Sequence, residues 1–144
     1  MERRRPTVRA MLIRIAEIFP ISAGPDVVLA RQGVRRRATE LKFSIVEQTK
    51  LVTAASELAR NTLIYGGGGS MRLELVEEGL RRGIRRTFED QGPGIPDLDL
   101  ALKDEYTSGK GVGLGLCGAK RLVHEFELVS TVGTGTRVTV TRWK

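Results

Sequence analysis

The chain is short of the residues that several common chemistries need. Its 144 residues include one cysteine, Cys117, which excludes an internal disulfide and a cysteine-rich zinc site. Aromatic residues make up 5%, too few for the stacking platforms that hold single-stranded nucleic acid. No apolar run approaches the roughly 18 residues needed to span a bilayer. The basic start, Met1-Glu-Arg-Arg-Arg5, is not followed by a long apolar stretch, because Arg14 and Glu17 interrupt Ala10 to Phe19. No secretory leader is expected, and a cytoplasmic protein without a membrane partner is the natural reading. The single histidine, His124, is assigned to surface or packing.

Positive charge is what the chain has in excess, with a formal net charge of +7. The basic clusters Arg35-Arg-Arg37, Arg81-Arg82 and Arg85-Arg86 are scattered. That scatter argues for solubility or an acidic protein partner and against nucleic acid. Hydrophobic content of 40% and charged content of 28% suit one soluble domain spanning residues 1–144.

The hydrophobic pattern alternates between strand and helix. Val8 to Ile15 is apolar and β-branched enough for a first strand, and Pro20 to Pro25 reads as a break. Asp26 to Leu41 has apolar residues near helical spacing, with Pro25 and Asp26 suited to its first turn. Ser44-Ile-Val-Glu47 matches a capping box and opens a second helix. Ile45, Leu51, Val52, Ala55, Leu58, Ala59 and Leu63 are expected to form its buried stripe, and Tyr65-Gly-Gly-Gly-Gly69 ends it. Met71 to Glu77 and Ile84 to Glu89 read as two strands joined near Glu78-Gly79. Asp97 to Lys110 reads as a mobile loop and Leu114 to His124 as a helix. Glu127 to Thr131 and Thr136 to Trp143 flank the turn Val132-Gly-Thr-Gly135. The fold class expected is α/β, an α+β sandwich with a mixed, mostly antiparallel sheet and helices on one face.

Three segments carry chemistry. In Asp90-Gln-Gly-Pro-Gly-Ile95, a carboxylate sits beside a turn whose glycines, Gly92 and Gly94, let backbone approach a flat ligand. A carboxylate accepts from adenine's exocyclic amine, or, alternatively, from the backbone of its own turn. In Gly109-Lys-Gly-Val-Gly-Leu-Gly115, backbone N–H groups are spaced to converge on phosphate oxygens ahead of a helix, or the stretch is a flexible linker. It is neither a Walker loop nor a dinucleotide fingerprint. In Glu57-Leu-Ala-Arg-Asn61, two side chains four residues apart share one helix face. Asn61 offers a neutral oxygen suited to Mg²⁺, and Glu57 a base for a hydroxyl or water. The alternative is an ordinary polar flank.

As they stand, these segments resemble the N, G1 and G2 boxes of the ATPase fold shared by gyrase, Hsp90, histidine kinases and MutL. Ser56-Glu-Leu-Ala-Arg-Asn61, Asp90-Gln-Gly-Pro-Gly-Ile95 and Gly113-Leu-Gly-Leu-Cys-Gly-Ala-Lys-Arg-Leu122 resemble most closely the anti-sigma-factor serine/threonine kinases of bacterial partner switching, of the stressosome type. The resemblance runs from about Val8 to Trp143. It implies the Bergerat-type ATP-binding fold, ATP and Mg²⁺ as cofactors, and phosphorylation of STAS-domain antagonists. A PP2C-type phosphatase or a sigma factor is a further implied partner. Carried over by position, Asn61 resembles the Mg²⁺ ligand, Asp90 the adenine acceptor, and Gly92 and Gly94 the adenine turn. Gly111, Gly113 and Gly115 resemble the phosphate loop with Lys110 as an added contact. Thr136 resembles the threonine that holds adenine through water, and Glu57 the general base. Two positions depart from the pattern: Arg85-Arg86 puts charge into a strand expected to be more apolar, and His124 stands where an acidic residue is common. The other reading kept open is a nucleotide-gated switch that binds a sigma factor or phosphatase with little catalysis.

Overall fold

The computed structural model describes residues 9–95 and 116–144. Strand β1 (Met11–Ile21) is followed by helices α1 (Gly24–Glu40) and α2 (Ile45–Ile64). The hairpin β2 (Gly69–Glu78) and β3 (Arg81–Asp90) comes next, then the short helix α3 (Leu116–Arg121) and the hairpin β4 (Glu125–Thr131) and β5 (Gly135–Trp143). The sheet order is β1-β2-β3-β5-β4. Every pairing is antiparallel, so the sheet expected to be antiparallel or mixed is antiparallel throughout the described residues.

The first strand is longer than its pattern suggested. It runs through Pro20, which pairs with Ser70. An edge strand tolerates proline because the missing N–H faces solvent. In α1, the Asp26 carboxylate accepts from the backbone N–H of Ser22 at 2.8 Å and of Ala23 at 3.0 Å. In α2, Ser44 Oγ accepts from the Glu47 N–H at 3.2 Å, as the capping box requires. Ile45 departs from expectation: it is 79% exposed and leaves the buried stripe to Leu51, Val52, Ala55, Leu58 and Ala59.

The core lies between the helices and one sheet face. Met71 and Leu73 of β2, Ile84 and Phe88 of β3 and Val138 and Val140 of β5 pack there with Ala30 and Val34 of α1 and the α2 stripe. Two charges break the alternation. Glu74 points to the uncovered face yet is only 3% exposed, because Arg85 and Arg72 close over it at 2.8 and 3.2 Å. Burial raises its pKa, but the two guanidinium groups outweigh that and hold it below its ordinary value.

Arg86 points the other way, into the core, and is 0% exposed. One of its terminal nitrogens donates to the Leu51 carbonyl at 2.5 Å, while its Nε and Nη2 find no partner among the described residues. Burial, with the Arg142 charge second, pushes its pKa well below the ordinary value. The charge that looked out of place in the sequence is thus a buried guanidinium tying β3 to α2.

Candidate nucleotide-binding site

A cleft opens where α2 and β3 end and β5 begins. Leu58, Asn61 and Thr62 of α2 and Tyr65, its C-cap, reach it, spaced at one helical face. Phe88 and Asp90 come from β3, Thr136 and Val138 from β5, Leu116 from α3, and Gly94 and Ile95 from the turn after β3. Apolar side chains thus form the walls and a carboxylate, an amide and a hydroxyl stand among them, the composition of a small-molecule site.

The end of α2 is built from the same residues. The Asn61 carbonyl accepts from the N–H of Tyr65 at 3.0 Å and of Gly66 at 3.2 Å. Thr62 Oγ1 donates to the Leu58 carbonyl at 2.9 Å, and the Thr62 carbonyl accepts from Gly68 N–H at 2.9 Å. Asn61 is therefore fixed by its own backbone while its side chain lines the cleft. Glu57 lies half-buried one turn earlier.

Asp90 is held by its own turn: Oδ1 accepts from Gly92 N–H at 2.9 Å. The turn role and the cleft position belong to the same carboxylate, so the two readings of Asp90 are compatible. Gly94 has φ of +78°, and a Cβ there would lie 2.6 Å from the Thr131 carbonyl. The β4–β5 turn docks on this loop, with Gly133 N–H donating to the Pro93 carbonyl at 2.8 Å.

Register puts the polar groups in one row. Thr136 pairs with Asp90 on one side and Ser130 on the other, across β3, β5 and β4. Of the residues expected from sequence, Asn61, Asp90, Gly94 and Thr136 line one cleft and Gly92 forms the turn beside it. Lys110, Gly111, Gly113 and Gly115, the expected phosphate loop, lie outside the described residues, as does the loop Asp97 to Lys110.

Two contributors were missed. Gly66 reads in sequence only as a helix stop, yet a Cβ on it would collide with the Asp90 carboxylate. Ser130 carries no motif, and its place becomes legible only once the hairpin register is set. His124 proves structural: its Nδ1 accepts from the Trp143 N–H at 2.8 Å. Burial, with Arg142 second, lowers its pKa and keeps that acceptor free of a proton.

The residues suit an adenine nucleotide. The glycines Gly66 and Gly92 let the end of α2 and the turn after β3 touch backbone to backbone, which sets an acceptor-only carboxylate, Asp90, at the cleft. Among the described residues no group of three His, Cys, Asp or Glu is placed to hold a metal. A Mg²⁺ here would take the Asn61 amide oxygen and find its other ligands in phosphate and water, as this ion usually does.

Fold and cleft together define a class, the ATPases built on an antiparallel sheet with helices on one face. Residues 46–144 match the family described as histidine kinase-, DNA gyrase B-, and HSP90-like ATPase. The chain is 44% identical over 118 residues to the serine/threonine-protein kinase RsbT of Bacillus subtilis (strain 168), covering 82% of this chain and 89% of the relative. It is 28% identical over 132 residues to the anti-sigma F factor of Thermoanaerobacter sp. (strain X514), covering 88% and 92%. Among solved structures, the RsbU and RsbW domains of a Mycobacterium tuberculosis protein superpose with a TM-score of 0.61 at 19% identity. That match covers 99% of this chain and 35% of the other, and it supports the fold. The chain belongs to this ATPase family, and within it to the partner-switching serine/threonine kinases.

Proposed function

We propose that the chain moves the γ-phosphoryl group of Mg²⁺-ATP to a serine or threonine hydroxyl on a STAS-domain protein of a bacterial stress-signalling partner switch. The observation that carries the proposal is the convergence of Asn61, Asp90 and Thr136 on one apolar cleft. Asp90 and Thr136 are the groups for the base, and Asn61 lies toward the phosphates. The expected loop of Gly111, Gly113 and Gly115, with Lys110, supplies the cradle. Bound Mg²⁺ supplies charge neutralisation on the phosphates.

Glu57 stands one turn from Asn61 on the same helix face and is the group for the incoming hydroxyl. As the oxygen–phosphorus bond to that hydroxyl forms, its proton passes to the Glu57 carboxylate. The bond from the γ-phosphorus to the β-phosphate oxygen breaks, and ADP leaves. Positioning and electrostatics supply most of the acceleration in such transfers, the base typically about 10²- to 10⁴-fold.

The partner surface is a protein and not nucleic acid, in keeping with the scattered positive charge. Holding a PP2C-type phosphatase or a sigma factor is compatible with kinase activity, because one chain can bind one partner and phosphorylate another. A cytoplasmic setting fits, and no described helix is long and apolar enough to cross a membrane.

The test is incubation of the chain with γ-labelled ATP and STAS proteins from the same genome, beside calorimetric ATP binding. Label appearing on a STAS serine or threonine is expected. ATP binding without transfer to any of them would overturn the kinase reading in favour of a nucleotide-gated switch.

A further inference from the structure

The core fills one face of the sheet, and strand register lays out the other face in rows. One row runs Arg72, Thr87, Thr139 and Glu127 across β2, β3, β5 and β4. The next, toward the Asp90 end, runs Ser70, Glu89, Arg137 and Val129. Both rows border one shallow groove of about 380 Å³. Glu89, Glu127 and Arg137 are exposed there, and none of them makes an ion pair with a described residue. We propose that this face docks against the same face of a second copy of the chain, about a two-fold axis that runs along the strands between β3 and β5.

A two-fold contact sets one patch against itself, so the patch must be its own complement. The proposed axis lays β3 of one copy over β5 of the other, and β2 over β4, level by level. Glu89 of each copy then faces Arg137 of the other, and Arg72 of each faces Glu127 of the other. Thr87 meets Thr139 between them. Neither row opposes like charges. The charges single out this axis: centred on β3 it would set Glu89 against Glu89, and centred on β5 it would set Arg137 against Arg137. In the row beyond, the axis opposes Glu74 to Glu125. Glu74 is already closed over by Arg72 and Arg85, and Glu125 is held by Arg9 and the Trp143 indole, so neither carboxylate is bare.

Facing sheets pack about 10 Å apart with their strands within about 30° of each other, a gap that arginine and glutamate side chains span together. The cleft is lined by Leu58, Phe88 and Val138 on the helix side of the sheet, so pairing through the other face leaves both clefts open. Charge complementarity of this kind sets the partner and the register more than the affinity. The pair is therefore a salt-sensitive one, because exposed charges are screened within about 8–10 Å at physiological salt.

The test is sedimentation equilibrium of the full chain at low salt, over a range of concentrations, for the wild type, Arg137→Glu, Glu89→Arg and an equimolar mixture of the two variants. The wild type is expected to pass from monomer to dimer as its concentration rises, and added salt should reverse this. Arg137→Glu sets Glu against Glu across the axis, and Glu89→Arg sets Arg against Arg. Each should weaken dimerisation by at least about tenfold, the scale of opposed like charges at an interface. In the mixture every such contact is again Glu against Arg, and the dimer should return. Both variants keep a net positive charge, so mixing adds no overall attraction. Circular dichroism confirms that each is folded, and a folding defect would not be cured by mixing. A wild type that stays monomeric at millimolar concentration would overturn the proposal. So would variants that dimerise as the wild type does, which would place the contact elsewhere, or a mixture that stays monomeric, which would remove the axis.

Discussion

Gly66 and Gly92 meet backbone to backbone: a Cβ on Gly92 would lie 2.8 Å from both the Cα and the carbonyl oxygen of Gly66. The contact joins the end of α2, which carries Asn61, to the turn that holds Asp90. Neither glycine has room for a side chain, and on Gly66 the obstacle is the Asp90 carboxylate itself. Gly66→Val is therefore expected to push Asp90 out of place and weaken ATP binding by at least about tenfold, the scale of a lost charged hydrogen bond. Titration calorimetry, with circular dichroism to confirm folding, checks this. Normal ATP affinity in a folded variant would remove Gly66 from the site.

Arg86 offers a second prediction, on stability. Its guanidinium is buried, with one bond to the Leu51 carbonyl and two nitrogens unpaired among the described residues. Replacing it by a long apolar side chain removes an uncompensated charge and keeps most of the volume. Arg86→Met is expected to raise the unfolding free energy by about 1–2 kcal/mol, since each unpaired buried donor costs about that much. Arg86→Ala leaves a cavity and should lower it by about 2–5 kcal/mol. Urea denaturation measures both. Equal destabilisation by Met and Ala would mean that the guanidinium's bonds outweigh its burial.

Acid should loosen the far end of the sheet. Glu78 is held at about 2, first by the hydrogen bond from Arg9 and then by that from Arg81. Glu125 is lowered in the same cluster, first by Arg9, against burial and with help from the Trp143 indole N–H. A carboxylate with a depressed folded pKa contributes stability that is present above its unfolded value and is lost as pH falls through the folded one. The loss contributed by Glu78 should run from about pH 4.5 down to about pH 2. Arg9→Gln should flatten the stability-against-pH curve in that window. An unchanged slope would show that the cluster does not couple to folding.

Much of the site was legible because its residues obey local rules. The Ser44 capping box fixes the phase of α2, and the phase of α2 fixes which residues share a face with Asn61. The Gly92-Pro-Gly94 turn announces itself by composition, and so does the Val132-Gly-Thr-Gly135 hairpin. What sequence did not reveal depends on tertiary contact. Gly66 matters because Asp90 arrives against it from another strand, and a run of four glycines looks like a helix stop from within. Ser130 matters only through the β4–β5 register. Glu74 and Arg86 break the alternation for opposite reasons. Glu74 is covered by arginines on a face that alternation marks as wet, while Arg86 occupies a core position that alternation reserves for an apolar residue. Ile45 misled because an apolar residue at helical spacing is not thereby covered: it and Val46 in the first turn of α2 stay exposed.

The central claim is that one face of α2 carries both the metal-binding amide and the base for phosphoryl transfer. Phosphate incorporation from γ-labelled ATP into a STAS partner, measured with ATP affinity for the wild type, Glu57→Gln and Asn61→Ala, tests it most directly. Glu57→Gln should keep ATP affinity and lose transfer by about 10²-fold or more, because the base meets the hydroxyl and not the nucleotide. Asn61→Ala should lose both Mg²⁺-dependent affinity and transfer. Wild-type transfer by Glu57→Gln would contradict the account.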